Sequence, residues 1–292
     1  MRSRTGHAYR RAIERAVAHL QRLVQANAPL PDLDALAAVA HLSPFHFHRI
    51  YRALTGETVG NTVARLRMLR ALRLLAEGDA PVARIALDVG YGTPQALARA
   101  LRAAVGASPS ELRSTPGLLQ AKQRVLADPP APDRPDATPL QVRVDVLAPF
   151  EVVTLRKRGA FDDLDRGFAR LFGWAVREGI ADRLQCLAGI PHGDHRDVPA
   201  RALEFDCAMG FDAPVAPPSP FATRTLGGGR YALLRHVGPY DRLEDALDRL
   251  LAEWLPGSDH ALRDAPVHYL FLDDPEEVPA AILRADVCVP LR

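Results

Sequence analysis

Ser43, Pro44, Arg49 and Gly56 recur fifty residues further on as Thr93, Pro94, Arg99 and Gly106. In each copy a hydroxyl residue able to cap a helix precedes a proline suited to the first helical position, and a glycine ends the apolar pattern. Before each cap runs a short apolar stretch, with Leu33, Leu36, Ala37 and Val39 behind the cap Asp32 in one copy and Ile85, Ala86 and Val89 in the other. A short helix, a tight turn and a capped second helix make a helix-turn-helix, whose second helix enters the major groove of DNA. Two such motifs, joined by a helix striped with Val63, Leu66, Leu69, Leu72 and Leu75, can address successive grooves about 34 Å apart.

Helical spacing divides each second helix into two faces. In the first copy Phe47, Ile50, Tyr51 and Leu54 fall inward, which leaves Phe45, His46, His48, Arg49 and Arg52 outward. The second copy turns Leu97 and Leu101 inward and leaves Gln95, Arg99 and Arg102 outward. Arginine bonds guanine bidentately, glutamine bonds adenine, and an aromatic ring meets the thymine methyl, so both faces carry base-reading chemistry. The second face is richer in alanine. We therefore expect the first helix to hold more of the sequence specificity and the second to lean on phosphates and shape.

Charge divides the chain in the same way. Through Arg124 there are 18 Lys and Arg against 8 Asp and Glu, and beyond it 19 against 27, so a net of +10 is followed by −8 within an overall +2. A basic first half attracts a polyanion and an acidic second half is repelled by it, so only the first is expected to touch nucleic acid. Between them, Asp128 to Pro139 holds five prolines, which lack the amide donors of a helix or central strand and make a semi-extended linker.

The second half carries its own duplication. Gly159, Phe161, Asp162 and Leu164 match Gly238, Tyr240, Asp241 and Leu243 at an offset of 79, and Val198, Pro199, Leu203 and Asp206 match Val278, Pro279, Leu283 and Asp286 at 80. Each copy reads strand, helix, strand, strand. Two such units predict an α+β domain with one antiparallel sheet and both helices on one face. The groove between the copies is the expected ligand site. Candidate lining residues are Phe161, Trp174, Glu204, Tyr231, Tyr240, Trp254 and Tyr269, aromatics to stack on a ligand and an acid to meet a cation.

No metal or cofactor is expected. His192 and His195 have no clear third ligand, and Cys186, Cys207 and Cys288 show no CxxC spacing, which suits small buried residues. The first residues have no uninterrupted apolar core and no stretch reaches about 18 apolar residues, so a cytoplasmic protein with no membrane contact is expected.

Residues 9–114 resemble the DNA-binding domain of the AraC/XylS family. The carrying segments are LAAVAHLSPFHFHRIYRALTG, RLRMLRALRLLAEG, IALDVGYGTPQALARALRAAVGASPSELR and the closing Gly106-x-Ser108-Pro109. The resemblance implies base-contacting roles for Phe45, His48, Arg49, Gln95 and Arg99, while Leu97 and Leu101 stand where the family usually has phenylalanines. Residues 140–292 resemble the GyrI-like effector-binding domain through GAFDDL, FARLFGWAVREGI, GGGRYALLRHVGPYDRLEDALDRLLAEWLP and DVCVPLR. That family commonly has a Glu-x-Tyr pair where this chain has Tyr269 and Phe271. A neutral aromatic effector is then at least as suitable as a cation, with Glu204 the substitute acid.

The expected organisation is an AraC-type double helix-turn-helix over 8–116, a helix end and linker over 117–139, and a GyrI-like effector domain over 140–292. The expected function is that of a transcription regulator that is not an enzyme, with double-stranded DNA, a small effector and RNA polymerase as partners. The alternatives are a small-molecule hydrolase, which needs a positioned acid or base, and a module that inhibits another protein.

Overall fold

The computed structural model describes residues 4–128, 139–159, 164–193 and 200–292, with the side chains of 4–6, 45 and 200 left aside. The chain divides into two compact units, a helical one over Ala8–Pro135 and a sheet one over Asp136–Arg292. Most of the proline stretch lies outside the described residues, as do Phe161, His195, Val198 and Pro199.

In the helical unit, helix α1 (Arg4–Ala26) precedes two copies of one motif. The first copy is α2 (Leu33–Ala40) and α3 (Pro44–Thr55), and the second is α5 (Val82–Asp88) and α6 (Pro94–Val105). Helix α4 (Val59–Glu77) joins them, and α7 (Pro109–Ser114) and α8 (Pro116–Ala127) close the unit. Gly56 and Gly106 end α3 and α6 at φ 74° and 75°, a left-handed conformation that glycine adopts without strain. Arg15 donates to Ala40 O at 2.9 Å, Arg70 to Val24 O, and Asn27 to Leu87 O at 3.1 Å. These bonds tie α1 to both motifs and to α4. The second motif closes over a dry core of Ile85, Ala86, Leu97, Leu101, Val105 and Leu112 against Leu72 and Leu75.

The caps differ between the copies. Thr93 accepts from Ala96 N at 3.1 Å, as a cap should, but Ser43 makes no cap bond and its hydroxyl is buried without a hydrogen-bond partner.

The sheet unit holds β1 (Val142–Leu147), β2 (Phe150–Arg158), α9 (Leu164–Arg177), β3 (Leu184–Pro191) and β4 (Glu204–Phe211). The second copy follows as β5 (Ala222–Leu226), β6 (Gly229–Val237), α10 (Leu243–Arg249), β7 (His268–Phe271) and β8 (Arg284–Pro290). After α10 the chain continues through a π turn at Leu250–Trp254 and a 3-10 turn at Leu255–Gly257. The expected repeat lacks one strand, since each copy opens with an extra one, β1 or β5. The first of them, VRVDVL, alternates apolar and polar residues as a half-buried strand does, whereas the second, ATRTL, is short and carries little apolar pattern.

All eight strands form one sheet in the order β1-β6-β8-β7-β3-β4-β2-β5, antiparallel throughout. Each copy's opening strand pairs with the second strand of the other copy. Strands β1 and β2 thus lie near opposite ends of the sheet, although only Ala148 and Pro149 separate them in sequence. Two residues span no more than about 11 Å between strand ends, so the sheet has to curl until its edges approach. The β1–β2 and β5–β6 connections meet there, with Gly228 N donating to Leu147 O at 2.9 Å. At Gly227 (φ 74°) an added Cβ would lie 2.2 Å from Ala148 O.

The concave side of the curl is filled by Val152, Ala188, Ile190, Ala208 and Leu226 and by Tyr231, Leu233 and Cys288, with Leu270 packed against both groups. Both helices lie on the convex side. Cys207 Sγ contacts Leu164 O of α9, and the Phe271 ring meets Phe168 of α9 and Tyr240, just before α10.

Replacing Thr93 by alanine should lower the helical unit's stability by about 1 kcal/mol, whereas Ser43→Ala should leave it unchanged or slightly raised. Urea unfolding of the two variants checks this.

Candidate functional site

Two regions carry the chemistry. In the helical unit, Gln95, Arg99 and Arg102 project from α6 into solvent, held there because Leu97 and Leu101 on the opposite face are fully buried. On α3, His48 and Arg52 are half-buried, while His46 and Arg49, expected outward, are only 5% and 9% exposed. The side chain of Phe45 lies outside the described residues. Helix α3 is covered over more of its circumference than its apolar stripe requires, since Ala53 is buried as well. Periodicity marks the most apolar part of a helix surface, not the width of what covers it. Among the described side chains, α6 thus exposes Gln95, Arg99 and Arg102, and α3 presents His48 and Arg52 in part.

Behind α3 lies a polar chain that no sequence motif marks. Tyr51 donates to Thr62 Oγ1 at 2.7 Å, Thr62 donates to Glu57 Oε1 at 2.8 Å, and Arg65 grips Glu57 through Nη2 at 2.6 Å and Nε at 3.1 Å. The sequence signal is the Glu57, Thr62, Arg65 spacing at the entrance of α4.

In the sheet unit, the candidate lining residues do not form one group. On the convex side, in the row through Cys207, Gly189 and Val287, Tyr269 lies beneath the helices, with Phe271 two residues on. Phe168 meets Phe271 edge-on at 5.6 Å and Tyr240 meets it at 4.8 Å. The Tyr240 hydroxyl donates to Asp273 O at 2.8 Å and Arg284 O at 3.0 Å, which fixes the ring. Phe168 was not singled out in sequence, although FARLFGWAVREGI contains it, and Phe271 was named only as standing in the family's Glu-x-Tyr pair, not as a lining residue.

Four candidates lie elsewhere. Trp174 is buried against Phe211 and Phe221, and Trp254 stacks on His260 at 5.8 Å. Tyr231 points into the concave interior beside His268, with Arg263 over its ring. Glu204 shares the concave side with Asp206, ion-paired to Arg156 at 2.9 Å and to Arg158. Alternation along β4 and β6 sends Glu204 and Tyr231 away from the helices, and which side a helix covers is a property of the assembled sheet.

The concave rim also holds the most perturbed acid. Asp206 accepts from Arg156 and lies 2.8 Å from His192 Nε2. Burial pushes its pKa up, but hydrogen bonds from His192 and Arg156 more than offset this and hold it at about 2. The second copy repeats the pair as Arg235 and Asp286, 2.6 Å apart, with Leu272 in the place of His192. His192 is thus committed to an ion cluster. Among the described residues no group of three or more His, Cys, Asp or Glu is placed to hold a metal.

Residues 140–292, just over half the chain, match the model of the GyrI-like small molecule binding domain. The chain belongs to the GyrI-like family. In this family member, residues 36–115 further match a helix-turn-helix domain model of the AraC type. Among curated relatives, the probable transcriptional regulator YgiV of Escherichia coli K12 is 28% identical over 155 residues, covering 52% of this chain and 96% of its own length. The MmsAB operon regulatory protein of Pseudomonas aeruginosa is 38% identical over 82 residues, 28% of this chain and 27% of its own. Among solved structures, EcmrR in a cryo-EM structure of its DNA complex covers 90% of this chain and 99% of its own, with 12% identity and a TM-score of 0.45. No helix among the described residues is long and apolar enough to cross a membrane.

Two buried groups of the sheet unit make its stability fall in acid. Burial pushes His268 down to about 4 from an ordinary 6.5, so between these values the unfolded chain binds a proton that the folded one refuses. Stability is lost as pH falls across that window, by an amount on the order of 3 kcal/mol. A second loss follows as pH falls from 3.8 toward 2, where folded Asp206 gives up its charge. Denaturant melts between pH 7 and 2 should show both declines, and His268→Phe should remove the first alone.

Proposed function

We propose that this chain is a ligand-responsive transcription regulator that reads duplex DNA with α3 and α6 and senses a small aromatic or hydrophobic molecule beneath α9 and α10. The observation that carries the DNA reading is the repeated helix-turn-helix within a +10 segment, with Gln95, Arg99 and Arg102 exposed along one face of α6. Arg99 and Gln95 suit base edges, Arg102 suits a phosphate, and His48 and Arg52 on α3 address the neighbouring groove. The names of YgiV and the MmsAB regulator accord with this.

The cluster Phe168, Tyr240, Tyr269 and Phe271 supports an aromatic or hydrophobic effector. Glu204 is on the far side of the sheet and neutralised by two arginines, so it cannot serve a cation in this groove. The cluster offers stacking surface, and Asp273 beside Tyr240 is held by Arg284 rather than free for proton transfer, which favours binding over turnover. Effector binding acts by shifting the population of DNA-competent conformations, and RNA polymerase is the partner whose recruitment or exclusion follows.

Selection of bound fragments from a random duplex pool by the full chain tests the DNA reading, with no preferred sequence as the result that overturns it. In the selected site, Arg99→Ala should cost about 1–3 kcal/mol and relax preference at one or two bases; a uniform loss with a shallower salt dependence would make Arg99 a phosphate contact.

For the effector site, the probe is a panel of neutral and cationic aromatic dyes followed by fluorescence anisotropy. Phe271→Ala should weaken dye binding about tenfold, and Glu204→Gln should leave it unchanged. The reverse pattern would move the site to the concave face, and turnover of a panel member would favour a hydrolase.

A further inference from the structure

The two helix-turn-helix copies are closed in different ways at one equivalent place. Fifty residues beyond Tyr51, Glu57 and Thr62 stand Leu101, Ala107 and Leu112, all buried in the apolar core of the second copy. The fold at that place needs no polar group. Yet in the first copy Tyr51 and Thr62 are fully buried, and the Glu57 carboxylate is 5% exposed against Arg65. Removing a carboxylate and a guanidinium from water is expensive, and apolar residues of similar volume commonly do as well or better for stability. A buried ionic chain in one copy and a dry contact in the other therefore call for a role besides cohesion.

The geometry supplies one. Arg65 holds Glu57 with Nε and Nη2, and its remaining Nη1 donates to Leu126 O at 3.1 Å. Leu126 lies in the last turn of α8, where carbonyls have no partner within the helix, and the linker begins directly beyond it. In the other direction the chain runs from Glu57 through Thr62 to the Tyr51 hydroxyl. Burial pushes that hydroxyl up to about 12, so it remains a donor at neutral pH. Tyr51 sits one residue from Arg52 and three from His48 on α3. A chain of four side chains, Arg65, Glu57, Thr62 and Tyr51, thus runs from the helix end that bears the linker to the inner face of α3.

We infer that Arg65 is a positioning residue: it sets the seating of α3 by the position of the α8 terminus, so that the first DNA-reading helix, unlike the second, is adjustable from the linker. The inference rests on the reading proposed for α3 and names how that reading is regulated. Displacing the end of α8 pulls on Arg65, and no other side chain needs to move for Glu57, Thr62 and Tyr51 to follow.

The test transplants the chain's own dry solution into the first copy of the full-length protein, as Tyr51→Leu, Glu57→Ala and Thr62→Leu together. The bases served by α3 are first defined as those whose preference relaxes in His48→Ala and Arg52→Ala. The triple variant leaves Arg65 without its carboxylate and should melt below the parent, but the folded protein should lose about tenfold in preference at the α3 bases alone. Preference at the α6 bases and the slope of affinity against salt should be unchanged. Arg65→Lys decides the matter if the triple variant does not fold, because one ammonium cannot hold both Glu57 and Leu126 O; the same selective loss is expected.

Full retention of preference at both sets of bases, with only the melting temperature altered, would make the network structural and overturn the inference. A shallower salt slope with equal loss on every sequence would make Arg65 a phosphate contact and overturn it equally. A parent protein that selects no sequence removes the DNA reading of α3, and the inference with it.

Discussion

The exchange of opening strands between the two copies of the sheet unit governs what its other residues can do. Because β1 pairs with β6 and β5 with β2, the two-residue connections at Ala148–Pro149 and Gly227–Gly228 have to meet, and the eight-stranded sheet closes toward itself. Curling gives the two faces unequal fates. The concave one becomes an enclosed core that strips water from His268 and Tyr231, and the convex one remains open for α9 and α10. The aromatic cluster beneath the helices, the acid-sensitive histidine and the placement of Glu204 on the far side all follow from that closure.

A parallel asymmetry marks the helical unit. Both motifs start their second helix at a proline after a glycine-punctuated or left-handed turn, and both end that helix at a left-handed glycine. Their interiors differ: the second motif is packed with aliphatic side chains, whereas the first surrounds a carboxylate held by Arg65. Aliphatic packing is insensitive to small displacements in direction, while a forked guanidinium–carboxylate contact holds only a narrow range of orientations. In the role proposed for Arg65, α6 is fixed and α3 is steered.

Much of this was legible in the residues. The fifty-residue register of caps, prolines and glycines gave both motifs, and the offset of 79 to 80 exposed the duplicated sheet unit with its helices on one face. Lining residues were harder. Trp174, Trp254 and Tyr231 are large aromatics in the right segments, yet they serve a helix underside, a histidine stack and the concave core. Phe168 was not legible because a single phenylalanine in an apolar segment carries no spacing signal, and Phe271 was legible only through the family's Glu-x-Tyr pair.

Sequence alone determined the secondary structure of most segments, the two duplications and the class of chemistry on α6, because caps, turns and amphipathic periods act over a few neighbouring residues. Only the tertiary structure decided which side of each strand the helices cover, how much of α3 is buried, and that Arg65 reaches Leu126, sixty-one residues away. Those outcomes depend on the closure of the sheet and the docking of α8 on α4, and no local pattern encodes the pairing of distant segments.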